Sequence, residues 1–315
     1  MSASIESNVK PAPLEIAIAP SGEQTPTYNH VVEKFRYMVD RPDEDRLNFL
    51  NEERWIGYDT AEEIITELKG LLNFPKRLKM PNLLIIGESN NGKTNIINRF
   101  YRLHGFPHDE NERLIMPVIL AHAPASSNEK DLYIAILEAM NMPYQSKNTI
   151  AALSYQVIHL FKEYEVRMLI IDEFHSMFDG TPRQQRRIMN SLKTLCNLVQ
   201  IPIIGVGTES AERALLTDPQ HKSRFGVVRL PLWRLDRNFQ KLLFRIEGVL
   251  PLKKPSNLKQ PHLASLVHSI SHGNLGNVHR LLAVCAKEAI ISGTEQITEE
   301  LLHKNRDIRI TQGLG

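Results

Sequence analysis

Two short stretches carry residue types that do chemistry together. Gly87-Glu88-Ser89-Asn90-Asn91-Gly92-Lys93-Thr94 has the spacing GxxxxGK[ST]. Glycine at both ends lets the backbone curl until successive N–H groups point inward. With the N-terminus of the following helix, where Asn95 sits, they form a cradle for phosphate oxygens. Lys93 is placed to reach the β- and γ-phosphates of ATP, and the Thr94 hydroxyl to ligate Mg²⁺. The spacing arises by chance in loops, but here an apolar strand precedes it and an amphipathic helix follows. The second stretch, Arg167-Met168-Leu169-Ile170-Ile171-Asp172-Glu173, ends an apolar run in two carboxylates. Asp172 suits the Mg²⁺ shell, directly or through water. Glu173 suits the base that polarises a water for in-line attack on the γ-phosphate. Thr208, after Gly207, either contacts that phosphate and its attacking water or caps a helix starting near Glu209; the roles are compatible.

These residues need strand tips and helix starts to hold them. Apolar runs at Asn82–Ile86, Met116–Ala121, Arg167–Ile171 and Ile201–Val206 predict four short strands. Between them, helical periodicity covers Lys93–Leu103, Lys130–Met140, Ile150–Tyr164 and Arg183–Leu198. Short apolar strands alternating with helices predict an α/β P-loop fold with a parallel sheet covered on both faces. Upstream, helices are expected over Tyr28–Met38, Asp43–Glu53 and Thr60–Leu72. After Trp233 the pattern turns all-helical, over Phe239–Val249, Pro261–Ser269, Val278–Ile291 and Thr298–His303. The implied units are a proline-rich arm (1–28), a helical N-terminal region (29–80), an α/β core (81–232), a helical lid (233–305) and a tail (306–315).

Composition narrows the class without naming a partner. Of 315 residues, 38 are Lys or Arg and 36 Asp or Glu, a formal charge of +2, so any nucleic-acid surface must be local. The two cysteines, Cys196 and Cys285, lie in apolar helical patterns and have no zinc spacing; with no signal-like N-terminus, a cytoplasmic setting is expected. His268, His272 and His279 read as solvated histidines rather than a metal site, since no acidic or cysteine partner is near in sequence. No apolar stretch approaches the ~20 residues that span a bilayer.

Together, the Asp172-Glu173 pair, the polar Thr208 and the helical C-terminus resemble the AAA+ ATPases, and within them the TniB/TnsC transposition regulators. The closer likeness rests on Arg54-Trp55-Ile56-Gly57-Tyr58, on Asn82 through Ile97, on Ile170-Ile171-Asp172-Glu173-Phe174-His175 and on Gly205-Val206-Gly207-Thr208-Glu209-Ser210-Ala211. It spans roughly residues 45 to 290. The resemblance implies a nucleotide held between subunits of a homo-oligomer, with a neighbour's arginine reaching the γ-phosphate. Ser223-Arg224-Phe225 looks like that finger motif, so Arg224 is the first choice and Arg213 the second. Gly276 stands where the lid of such proteins more often has a sensor arginine; Arg280, one turn on, is the substitute. Trp55 and Tyr58 are placed near the adenine.

The same resemblance implies ATP-dependent assembly on double-stranded DNA as a ring or helical filament, marking a target site. The assembly would recruit or activate a transposase, with a target-selector protein as a further partner. Candidate DNA contacts are the loop holding Ser126, Ser127, Asn128 and Lys130, and the helix start with Arg183, Arg186 and Arg187. Such contacts would be sequence-tolerant and salt-sensitive. Competing readings are a helicase-loader or replication-initiator-like ATPase, a P-loop kinase, and a switch that binds ATP without hydrolysing it.

Overall fold

The computed structural model describes residues 28–216 and 224–307. Ser223, the expected arm apart from Tyr28, and the expected tail beyond Asp307 lie outside the described residues. Five strands form one wholly parallel sheet in the order β4-β5-β6-β1-β7. They are β1 (Asn82–Gly87), β4 (Val118–His122), β5 (Met168–Asp172), β6 (Ile203–Gly207) and β7 (Phe225–Leu230). Their side chains alternate between two cores. Leu83, Ile85, Ile170, Ile204 and Val206 face helices α2 (Asp59–Leu72) and α3 (Lys93–His104). Leu84, Ile86, Leu169, Ile171 and Ile203 face α4 (Glu129–Ala139), α5 (Ile150–Glu163) and α6 (Pro182–Val199). Burial on both faces is why the inner strands read as continuous apolar runs.

Two prolines shift predicted strands. Pro117 and Pro202 supply no N–H to a ladder, so β4 and β6 begin one residue after them rather than at Met116 and Ile201. Among the described residues three strands lie outside the four expected: β7, and the mostly exposed hairpin of β2 (His108–Glu110) and β3 (Arg113–Ile115). The helix expected over Tyr28–Met38 shrinks to a 3-10 turn at Glu33–Met38, because the Val32 N–H is spent on Gly248 O at 2.8 Å.

The C-terminal helices are α8 (Arg237–Glu247), α9 (Pro261–Ser271), α10 (Leu275–Ile291) and α11 (Glu299–Lys304), while α7 (Glu209–Leu216) follows β6. Phe239, Leu243, Val267, Val278 and Leu282 of this lid share one core with α2 and with Leu50 of α1 (Asp43–Asn51). Among the described residues no helix is long and apolar enough to cross a membrane.

Candidate nucleotide site

In a parallel sheet all carboxyl ends lie on one edge, where ligands of open α/β sheets bind. That edge gathers Gly87 to Asn95 from the end of β1, Asp172 and Glu173 from the end of β5, and Thr208 after β6. Gly92 has φ +87°, a left-handed conformation that glycine adopts without strain, and caps the start of α3.

Lys93 is 6% exposed, and its Nζ donates to Gly87 O (3.0 Å) and Glu88 O (2.8 Å). Burial lowers the pKa of its ammonium, and the carboxylates of Glu173, Asp172 and Glu88 oppose that shift without reversing it. Thr94 Oγ1 donates to Asp172 Oδ2 at 2.8 Å, joining the two motifs across 78 residues. A hydroxyl beside a carboxylate is a hard-oxygen donor set of the kind Mg²⁺ takes. Asp172 Oδ1 accepts the Glu173 N–H at 2.9 Å. Glu173 itself has φ 51°, an uncommon backbone for a side-chain-bearing residue, of the sort that clusters at functional sites. Its Oε2 lies 3.3 Å from His175 Nδ1, a buried nitrogen without a hydrogen bond. Sequence alone marks His175 for no role. Thr208 Oγ1 hydrogen-bonds Ser210 Oγ at 2.7 Å, and its carbonyl accepts the Ala211 N–H, so the turn into α7 uses both ends of the residue.

Beside the loop lies a cleft of about 210 Å³ lined by Tyr58, Thr60, Pro231, Trp233, Arg234 and Lys241. Tyr58 packs edge-on to Trp233, with centroids 5.1 Å apart. Its hydroxyl is buried without a hydrogen-bond partner, and burial pushes the phenol pKa up. Trp55 is not part of this cleft; its indole N–H points to Glu62 at 3.3 Å.

The remaining candidates separate. Arg224 sits at the amino end of β7, half-buried, with Nη1 on Asn197 Oδ1 at 3.1 Å. Six paired positions, Asn82 with Phe225 through Gly87 with Leu230, put it about 20 Å along the sheet from its own phosphate loop. Arg213 is exposed on α7. Arg280 lies half-buried on α10, one turn beyond Gly276. Ser127 Oγ donates to Met177 O (2.8 Å) and accepts the Gly180 N–H (2.7 Å), and Lys130 Nζ donates to Ser146 O (2.5 Å). Ser126 is bonded to Asp131, and Asn128 caps α4. The Ser127–Gly180 bond brings this loop beside the start of α6, where Arg183, Arg186 and Arg187 are exposed. His268 Nε2 contacts Trp233 O at 2.9 Å.

Known proteins share the fold, and one family matches the sequence. The chain resembles the ORC2 protein of Aeropyrum pernix, solved with ADPNP and ADP, at TM-score 0.61 and 16% identity, covering 85% of this chain and 72% of that one. It resembles Cdc6p from Pyrobaculum aerophilum at TM-score 0.59 and 15% identity, with 85% and 72% covered. The Aeropyrum pernix ORC1 protein, solved in complex with DNA, matches at TM-score 0.55 and 17% identity, with 82% and 68% covered. At such identities the likeness shows the fold, that of AAA+ P-loop NTPases. No curated protein matches the chain. The family described as "Bacterial TniB protein" matches residues 46–235, more than half of the sequence and every motif from the phosphate loop to Trp233, and the chain belongs to that family.

Proposed function

We propose that this AAA+ protein binds and hydrolyses ATP and couples the triphosphate to assembly on double-stranded DNA, where it marks a target site and recruits or activates a transposase. The observation that carries the nucleotide half is the Thr94–Asp172 bond, which joins the phosphate loop to the acid-bearing strand. Phosphates would lie on the amides of Gly87 to Asn95 with Lys93, and the base in the cleft beside Tyr58 and Trp233. Thr94 and Asp172 would hold Mg²⁺, which neutralises phosphate charge when bound. Glu173 would orient and deprotonate the water that attacks phosphorus, as the bond to the ADP oxygen breaks. Thr208 is the second polar group at that end.

Membership of the TniB family supports the transposition half. Arg224 is too far from its own loop to serve it, which favours a finger acting on a neighbouring subunit's nucleotide and hence hydrolysis tied to oligomerisation. Arg213 is the second choice, and Arg280 the proposed lid arginine. For DNA, the exposed Arg183 and Arg187 carry the proposal; Ser127 and Lys130, engaged internally, would shape the neighbouring loop. We place the functional units at 29–80, 81–232 and 233–305. The likeness to origin-recognition proteins favours one second reading, an initiator-like or helicase-loading ATPase.

Electron microscopy with double-stranded DNA under ATP, a non-hydrolysable analogue and ADP tests the proposal. Rings or filaments that need the triphosphate, and vanish with Lys93→Ala, are the expected result. Nucleotide-indifferent DNA binding would break the coupling. Stimulation of transposase strand transfer, rather than of helicase loading, separates the two readings.

A further inference from the structure

The outer face of the phosphate loop is held by the first turn of α10. Asn274 Nδ2 donates to Ser89 O (3.0 Å), the Gly276 N–H to Asn90 O (3.0 Å) and the Leu275 N–H to Asn91 Oδ1 (3.2 Å). Asn91 is 1% exposed, and the rest of its amide is also engaged: Nδ2 donates to Leu230 O (3.1 Å) and Pro231 O (3.0 Å). One side chain thus joins the loop, the exit of β7 and the lid. The approach is close. A Cβ on Gly276 would stand 2.2 Å from Asn90 Oδ1, and one on Gly92 would stand 2.9 Å from Leu275 Cδ2.

This contact has a direction. A loop that turns its N–H groups inward to an anion turns carbonyls outward. The lid donors take the carbonyls of Ser89 and Asn90, leaving the amides to the phosphates. Lid and phosphate therefore use opposite faces of the same residues and reinforce one another. Holding the loop in its receiving shape removes the loss of affinity that comes with a part-populated competent state. Linkage makes the effect reciprocal: whatever lid docking adds to nucleotide affinity, nucleotide adds to lid docking.

We propose that Asn91, Gly276 and the backbone carbonyl of Asn90 clamp the lid to the phosphate loop, Asn91 and Gly276 acting as positioning residues that set how tightly the loop holds a nucleotide. The proposal rests on the nucleotide reading above, and deepens it by naming how occupancy of the site reaches the helical lid.

The test uses the full chain, a non-hydrolysable ATP analogue, calorimetric Kd values and hydrogen exchange at Leu275 and Gly276. Asn91→Ala should raise the Kd about tenfold, by lowering the fraction of competent loop. Gly276→Ala should raise it similarly, although alanine favours a helix over glycine. Adding Asn90→Gly removes the amide that the new methyl meets and suits the positive φ of 60° at that position, so the double variant should recover affinity. In the unaltered chain, nucleotide should slow exchange at Leu275 and Gly276; in Asn91→Ala it should not. If Asn91→Ala does not fold, the Gly276→Ala pair decides alone. Wild-type affinity in the single variants, with tight binding by the unaltered chain, would overturn the clamp and leave the nucleotide reading standing. No binding by the unaltered chain would overturn both.

Discussion

Two clusters among the described residues hold buried charge, and they are completed differently. Between α1 and the lid, Arg46 has no exposed surface, and its guanidinium is engaged on every side. Nε and Nη2 donate to Pro251 O at 3.0 and 2.7 Å, Nη1 donates to Asp43 at 3.1 Å, and both carboxylate oxygens of Glu295 are bonded to it. Glu295 Oε2 also accepts the Lys253 N–H at 3.2 Å. Nearby, the carboxylate of Glu247 accepts three backbone N–H groups, from Ser256, Asn257 and Leu258. At the carboxyl edge of the sheet, Lys93 and Asp172 are similarly engaged. The Glu173 carboxylate, however, approaches His175 without a hydrogen bond, and the Tyr58 hydroxyl has no partner. A saturated polar cluster orders structure; one with unspent donors and acceptors has capacity left for a ligand.

The comparison can be broken most sharply at Glu173. Glu173→Gln should slow phosphate release by about 10²–10⁴-fold, the usual range for losing a positioned base. ATP affinity and thermal stability should change little, since the carboxylate approaches His175 without a hydrogen bond and Gln keeps its shape. Normal turnover in that variant would remove Glu173 from the base role and leave the edge cluster without its reactive member.

The opposite pattern is expected from the lid cluster. Glu295→Ala leaves Arg46 buried with only the exposed carboxylate of Asp43 as a charge partner, and loss of a buried partner costs up to about 3–5 kcal/mol of stability. Denaturant titration should show that loss, while hydrolysis per folded molecule is unchanged. Arg46→Met with Glu295→Leu should lose much less, because neither charge is then stranded. A Glu295→Ala chain as stable as the wild type would mean that saturation of this cluster contributes little.

How far each cluster is legible in the sequence follows from how local it is. The phosphate loop and the Asp172-Glu173 tip are contiguous, and their strand and helix settings show in apolar periodicity. The buried strands are legible for the same reason, apart from the ends that Pro117 and Pro202 move. Strand β7 is less legible: Gly226 and Arg229 interrupt Phe225–Leu230, so this edge strand lacks the unbroken apolar run of the inner strands. The pairings that complete the structure lie further apart still. Arg46 meets Glu295 across 249 residues, and Asn91 meets Leu275 across 184. Neither separation leaves a periodic trace, and Gly276 reads in the sequence as a missing arginine rather than a close approach. Trp55 and Trp233 differ in the same way: both are aromatic near the right segments, and only folding decides which one faces the cleft.

Acid gives the finest division between the clusters. Burial opposes ionisation of Glu295, but the hydrogen bonds from Arg46 and the Lys253 N–H, with the charges of Arg46 and Lys253, outweigh it and hold its carboxyl below the ordinary range. A carboxylate whose folded pKa is depressed stabilises the fold above the unfolded value, about 4.3 for glutamate, and loses that contribution as pH falls through the folded value. Wild-type stability should therefore fall as pH drops below about 4. Glu295→Gln should be less stable at neutral pH but lose less on acidification, so the gap between the two chains narrows as pH falls. Denaturant midpoints measured from pH 7 down to pH 3 would show it. A gap that stays constant over that range would mean that Arg46 is held by the shape of its pocket and by Pro251 O, and that the charge on Glu295 adds nothing.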